Sequence, residues 1–422
     1  MTKITGNPAR THRVLLLAQL SNSVGDGAFY VTSALYFSLV VGLSAAQIGA
    51  GLALAWGIGS IAGVPLGGLA DRRGPRGTSV VLALATAGAV ASFLFIRSFP
   101  LFLLAAAVYA TAQSGLAASR QALLAGLVEP AARVGMLAKI QATLNAGLAV
   151  GAALGGLALH AGTRDAYFAV FALDALGFLG CALLLRLLPA LAGSGAASTG
   201  GARLEVLRDR PYALLTVLNA VLLLRLPLLS LALPLWITQR TAAPGWTVSA
   251  LFVLNTGAVM LFQVRAARSV TGLPEAVRAV GRSGLVMLAS CAVFAVTAAG
   301  FGPWPTAAVL VLGAVLQVVA EMRHSAGSWQ IGLGLAPAGR VGQYQGFYGS
   351  GVPVARTLGP LLVTTLLIGG GAAGWLVLGG IFLVTGLLTG PAVRWAERSR
   401  AAAGPVAGPG AAPAQGDAVG AR

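Results

Sequence analysis

The sequence predicts an all-α polytopic membrane protein of twelve transmembrane helices in two pseudo-symmetric six-helix bundles, and three observations predict it. Hydrophobic types make up 57% of the 422 residues and charged types only 9%. A soluble domain carries about a quarter charged residues, so polar material is too scarce here to cover a water-exposed surface. Apolar runs of roughly 20 residues recur along the chain, each long enough to cross ~30 Å of hydrocarbon. A short motif also repeats at matching positions in the two halves of the chain. In lipid the backbone must be satisfied within each segment, which makes the runs helices. The period-2 alternation of a membrane barrel is absent.

Taken in order, the spans cover residues 14–41, 45–70, 78–97, 100–125, 136–160, 166–187, 212–237, 247–266, 279–299, 305–330, 343–368 and 374–393. Residues 1–187 form the first bundle and 212–396 the second. Between them, 188–211 reads as a linker: Gly193-Ser194-Gly195-Ala196-Ala197-Ser198-Thr199-Gly200-Gly201 is flexible in composition and leads into a charged stretch. Residues 397–422 are Ala, Gly and Pro-rich past Arg400, and a disordered tail is expected. The repeat is Pro130-Ala131-Ala132-Arg133-Val134-Gly135-Met136 before span five and Pro337-Ala338-Gly339-Arg340-Val341-Gly342-Gln343 before span eleven, five of seven residues matching at an offset of 207. Duplicated six-helix halves with a site between them at midplane are common among secondary transporters.

The net charge of +17 follows topology. Of 28 Lys and Arg, three (Arg120, Arg225, Arg356) fall well inside spans and three (Arg97, Arg164, Arg240) in loops or span ends on one side; the other 22 lie toward the opposite side. That is the positive-inside pattern, which places both termini in the cytoplasm; the plasma membrane is the expected location. No basic stretch interleaves with aromatics, so nucleic acid is not an expected partner. Cys181 and Cys291 sit inside apolar spans and read as small buried side chains. The first apolar run is too long for a cleaved signal and lacks a cleavage site. No phosphate-binding loop, metal-ligand cluster or catalytic triad occurs. The chain therefore reads as a non-enzyme without cofactor or metal, whose partners are a small-molecule substrate, protons and the bilayer, and a monomer is expected.

The loop between spans two and three reads Gly67-Gly68-Leu69-Ala70-Asp71-Arg72-Arg73-Gly74-Pro75-Arg76-Gly77. Gly67, Asp71, Arg72, Gly74 and Arg76 fall on a pattern that resembles the signature of the major facilitator superfamily, with Pro75 in place of a basic residue. The twelve-span, two-half layout extends the resemblance to nearly the whole chain. It implies alternating access, with Asp71 reaching the start of span eleven in one conformation and releasing it in the other. A carboxylate suits the exposed amides of a helix N-terminus. The plainer alternative is a solvated turn that enforces topology. On span five, Gly147, Gly151, Gly155 and Gly156 resemble the glycine signature of the family's antiporter branch, although Ala152 stands where that signature has proline. Small residues four apart also let membrane helices pack closely.

Six ionisable residues fall well inside the spans: Asp26, Arg120, Asp174, Arg225, Glu321 and Arg356. An intramembrane charge is a functional hypothesis by default. Gln19, Asn22, Asp26, Tyr30 and Ser33 form one polar stripe on span one, and Gln317, Glu321, His324 and Ser328 one on span ten. Span four contributes Gln113 and Arg120, span seven Arg225 and span eleven Arg356. By the family resemblance the first, fourth, seventh and tenth helices line the central cavity. Asp26 leads as proton carrier, against a structural salt bridge to Arg225; Glu321 is the second candidate and a bridge or gate residue. Asp174 reads as packing between helices, and His324 as part of the end of span ten. The expected function is proton-coupled efflux of small amphipathic compounds by a secondary transporter resembling the twelve-helix drug/proton antiporter branch. The alternatives are proton-linked import or facilitated passage of a small, anionic metabolite, and a non-transporting receptor or assembly protein on the same scaffold.

Overall fold

A computed structural model describes residues 7–193 and 205–402. Among them all regular structure is helical. The first half holds α1 (Pro8–Leu35, continued by a π turn over Tyr36–Val40), α2 (Ala45–Arg73), α3 (Pro75–Ser92), α4 (Phe99–Leu127), α5 (Pro130–Ala161) and α6 (Arg164–Arg186). The second holds α7 (Arg210–Arg240, interrupted near Arg225), α8 (Trp246–Ala267), α9 (Leu273–Val296), α10 (Pro303–Gly334), α11 (Val341–Gly349 and Gly351–Leu362, ending in a π turn over Val363–Gly369) and α12 (Gly371–Ala402). Residues 194–204 of the expected linker lie outside the described residues, as do 403–422. Residues 397–402, where a tail was expected to begin, continue α12 as helix.

Helix starts follow local chemistry. Proline occupies the first turn of α1, α3, α4, α5, α7, α9 and α10, where its missing N–H costs nothing and its fixed φ suits the helix. Ser44 and Gln47 cap α2 reciprocally, and Thr163 caps α6. Ten of the helices are long and apolar enough to span a membrane by themselves. The two that fall short are α1, which carries the polar stripe, and α11, which breaks at Ser350. The 28 residues of α1 are long enough by themselves and α11 is long enough once its pieces are joined, which gives twelve membrane helices among the described residues.

The two halves repeat one packing scheme. In the first, α1 packs on α5 and α6, α4 on α2 and α3, and α3 on α6; in the second, α7 packs on α11 and α12, α10 on α8 and α9, and α9 on α12. Each pair maps onto its counterpart by adding six to the helix number. The first core is an aromatic cluster around Phe29, Tyr36, Phe37, Phe93, Phe102 and Phe171. The second centres on Trp236, Phe294 and Trp375, where Trp236 Nε1 donates to Thr297 Oγ1 at 2.8 Å.

Between the halves, α2 and α4 pack on the first piece of α11, and α5 packs on α8. The α2–α11 and α5–α8 contacts are related by the same internal symmetry. Both lie toward the face that carries Asp71: Gly63 and Gly67 meet Gly346 and Gly342, and Val134 and Ala138 join the core that includes Ala267. Among the described residues no comparable packing joins the halves at the opposite face. The bundles are thus closed at the Asp71 face and parted beyond the midplane.

Candidate functional site

Asp71 ends its helix pointing into the start of α11. Its Oδ1 accepts from Gly342 N–H and its Oδ2 from Gln343 N–H, both at 2.8 Å. One carboxylate thereby satisfies two of the amides that a helix start leaves without partners. Gly67 and Gly342 are needed for this approach, since a Cβ on either would collide with the other's backbone. Gly74 adopts φ 98° between α2 and α3, where Leu191 O lies 2.7 Å from the position of a Cβ. Arg76 donates to Leu188 O at 2.9 Å. Arg72 makes no side-chain bond among the described residues and serves as charge at that face.

A central cavity of about 480 Å³ lies above this closure, lined by both halves. Gln19, Asn22, Asp26 and Tyr30 enter it from α1, Gln113 and Arg120 from α4, and Arg356 from α11. The α1 stripe works as a polar relay. Arg120 Nη2 donates to Gln19 Oε1 at 2.7 Å and Nη1 to Asn22 Oδ1 at 3.3 Å. Asn22 Nδ2 then donates to Asp26 Oδ2 at 3.1 Å. Asp26 is 5% exposed, and its Oδ1 has no donor in bonding geometry. Arg356 makes no ion pair among the described residues; its guanidinium sits 5.3 Å from the Trp56 ring centroid, across the two halves.

The structure corrects several expected placements. Arg225 does not reach Asp26. It stands at the interruption of α7 just before Pro227, which cannot continue the hydrogen-bond ladder, and pairs with Glu321 Oε1 at 3.1 Å. Its Nε donates to His324 Nδ1 at 3.4 Å, and Asn255 Nδ2 donates to Glu321 Oε2 at 3.1 Å. His324 is therefore a buried member of this network and more than the end of a span. Arg225, Glu321 and Gln317 do not line the cavity; Gln317 is 3% exposed and buried inside the second half.

On α5, Gly147, Gly151 and Gly155 pack directly on α1 at Ser23, Val24 and Ala28. Gly156, one residue further and ~100° around the helix, faces open space and is not part of this seam. Asp174 is fully buried against Gly25, with neither oxygen bonded. Cys181 and Cys291 are buried free thiols.

The sequence reading did not single out Trp56, Asn219 or Trp329, all of which line the cavity. Asn219 could have been found, being polar in a leucine-rich span; it accepts from Ser328 Oγ at 2.8 Å. A lone tryptophan in an apolar helix gives no such signal.

A sequence model of the Major Facilitator Superfamily matches residues 15–328. No curated protein sequence matches significantly. Three solved structures share the fold. The human organic anion transporter MFSD10 has a TM-score of 0.66 at 18% identity, covering 91% of this chain and 100% of its own. A bacterial homologue of the iron transporter ferroportin in an outward-facing state scores 0.70 at 17% identity, covering 92% and 99%. The proton:xylose symporter XylE bound to 6-bromo-6-deoxy-D-glucose scores 0.67 at 15% identity, covering 92% and 96%.

Proposed function

This chain belongs to the major facilitator superfamily, and from that premise we propose that it is a proton-coupled secondary transporter that expels small amphipathic compounds from the cell by alternating access. The observation that carries the reading is the cavity between the halves, in which one buried carboxyl, Asp26, ends a hydrogen-bonded relay from Arg120. Polar groups share that cavity with Trp56, Trp329 and apolar residues of α5 such as Leu137, Ile140 and Leu144, a mixture suited to an amphipathic guest. With the Asp71 face taken as cytoplasmic, the structure is the outward-facing member of the cycle. Water reaching the cavity from outside would load Asp26 with a proton, and opening of the other face would let it leave.

A second reading is import or facilitated passage of a small anionic metabolite. Arg120 and Arg356 both line the cavity beside a single carboxyl, and this charge balance favours it. The direction of proton movement on adding substrate to inside-out vesicles separates the two readings. The test of coupling is Asp26→Asn in reconstituted vesicles. The amide keeps the bond to Asn22 at similar volume, so folded protein and substrate counterflow are expected to persist while uphill transport is lost. Retained pH-driven accumulation by this variant would remove Asp26 from the coupling step.

A further inference from the structure

A second cavity, of about 510 Å³, opens toward the Asp71 face between the adjoining ends of α8 and α9 and the interior of α10, away from the central site. Its wall carries Arg265 from α8, Arg278 and Arg282 from α9 and Arg323 from α10, against one carboxylate, Glu275. That carboxylate is already taken by Arg278 at 2.6 Å. Arg265, Arg282 and Arg323 make no side-chain hydrogen bond or ion pair among the described residues and are exposed.

Their depth matters. Arg323 stands eleven residues before the end of α10 at Gly334, and Arg282 nine residues after the start of α9 at Leu273. At ~1.5 Å per residue these are ~16 and ~14 Å along each helix. The 32-residue α10 is ~48 Å long and overhangs a ~30 Å hydrocarbon layer at both ends. With the overhang shared equally, the backbone of Arg323 falls ~7 Å inside the apolar layer, a depth from which a long arginine side chain extends toward the headgroups. The groove is flanked by Phe262, 52% exposed on the outer surface of α8. Unpaired guanidinium groups at this level need an anion, and an apolar approach from the side selects one that carries hydrocarbon.

We propose that this groove is a binding site for the phosphate headgroup of an anionic phospholipid, held by Arg265, Arg282 and Arg323 with its acyl chains against Phe262. A zwitterionic lipid brings a cation of its own into the same arginine cluster and is rejected. A free phosphate lacks the apolar part. The bound lipid would tie α8 to α10, and α8 is the helix that α5 packs on where the halves close.

The test uses the full-length protein in neutral detergent, titrated with phosphatidylglycerol, phosphatidylcholine or inorganic phosphate and read by native mass spectrometry and thermal unfolding. Phosphatidylglycerol is expected to bind the wild type and raise its unfolding temperature, and the other two are not. Removing two guanidinium groups in the double variant Arg282→Gln/Arg323→Gln should weaken phosphatidylglycerol binding about thirtyfold. Three results would overturn the site: equal binding of phosphatidylcholine, an equal thermal shift from inorganic phosphate alone, or undiminished phosphatidylglycerol binding by the double variant. Should that variant not be recovered folded, the comparison of the three ligands on the wild type decides by itself.

Discussion

Arg225 is 7% exposed and has one ionic partner, Glu321, which Asn255 holds from the other side. Breaking a buried pair by neutralising one member leaves an uncompensated charge and costs ~3–5 kcal/mol, whereas replacing both members with apolar groups is often neutral. Glu321→Gln should therefore lower the unfolding temperature and yield, and Arg225→Met/Glu321→Met should recover most of the loss. If Glu321→Gln is as stable as wild type but does not transport, the pair belongs to the transport cycle and not to the scaffold. The same comparison separates Glu321 from Asp26. Asp26 has only neutral hydrogen-bond partners in the structure, so its neutralisation leaves no buried cation without an ionic mate.

At the scale of elements, two contacts set how the helices approach one another. The seam between α1 and α5 is made by backbone: a Cβ on Gly151 would meet Val24 O, Ala28 N and Gly27 Cα, none of which can step aside. Gly151→Leu should reduce folded protein sharply, since overpacking costs ~1–3 kcal/mol even where side chains can adjust. Gly156→Ala, into open space, should be neutral in the same expression and melting assay.

The second contact is Asp71 on α11. Its two bonds hold the closed face, and charge-assisted bonds are worth ~1.5–3 kcal/mol each. Asp71→Asn keeps an acceptor for one amide and turns an N–H toward the other. The equilibrium should shift tenfold or more toward opening of that face. A cysteine in place of Ser114, which lines the cavity, would then be alkylated faster from the Asp71 face; an unchanged rate would return the loop to a purely topological role.

How much of this was legible in the sequence differs by element. Hydropathy alone marks ten helices. It is weakest at α1 and α11, where polar residues and a break dilute the apolar run, and these two helices supply Asp26 and Arg356 to the cavity. The Asp71 loop could be placed opposite α11 only through the family resemblance that its residues carry. The partner of Arg225 could not, because a helical wheel gives the face of a helix but not the rotation of its neighbour, and an interrupted α7 has no single face.

For the whole molecule, the matching packing schemes of the two halves and the one-sided basic loops bear on orientation. With Cys181 and Cys291 replaced, a cysteine at Ser269 should resist an impermeant thiol reagent in intact cells, and one at Ala161 should react. Both positions are exposed and lie on opposite faces. The reverse pattern would invert the topology and, with it, the outward-facing assignment.

The glycines that bring α2 and α11 together have one more consequence. Where Gly63 and Gly67 meet Gly346 and Gly342 there is no side chain between the two main chains, so this part of the closed face holds no crevice in which a file of water could form. Hydronium hops along such files, and a carrier driven by a proton gradient dissipates its own fuel if one persists. A side chain on Gly67, Gly342 or Gly346 would meet backbone and prop the interface open, and the first symptom to look for is acidification of the vesicle interior in the absence of any transported compound.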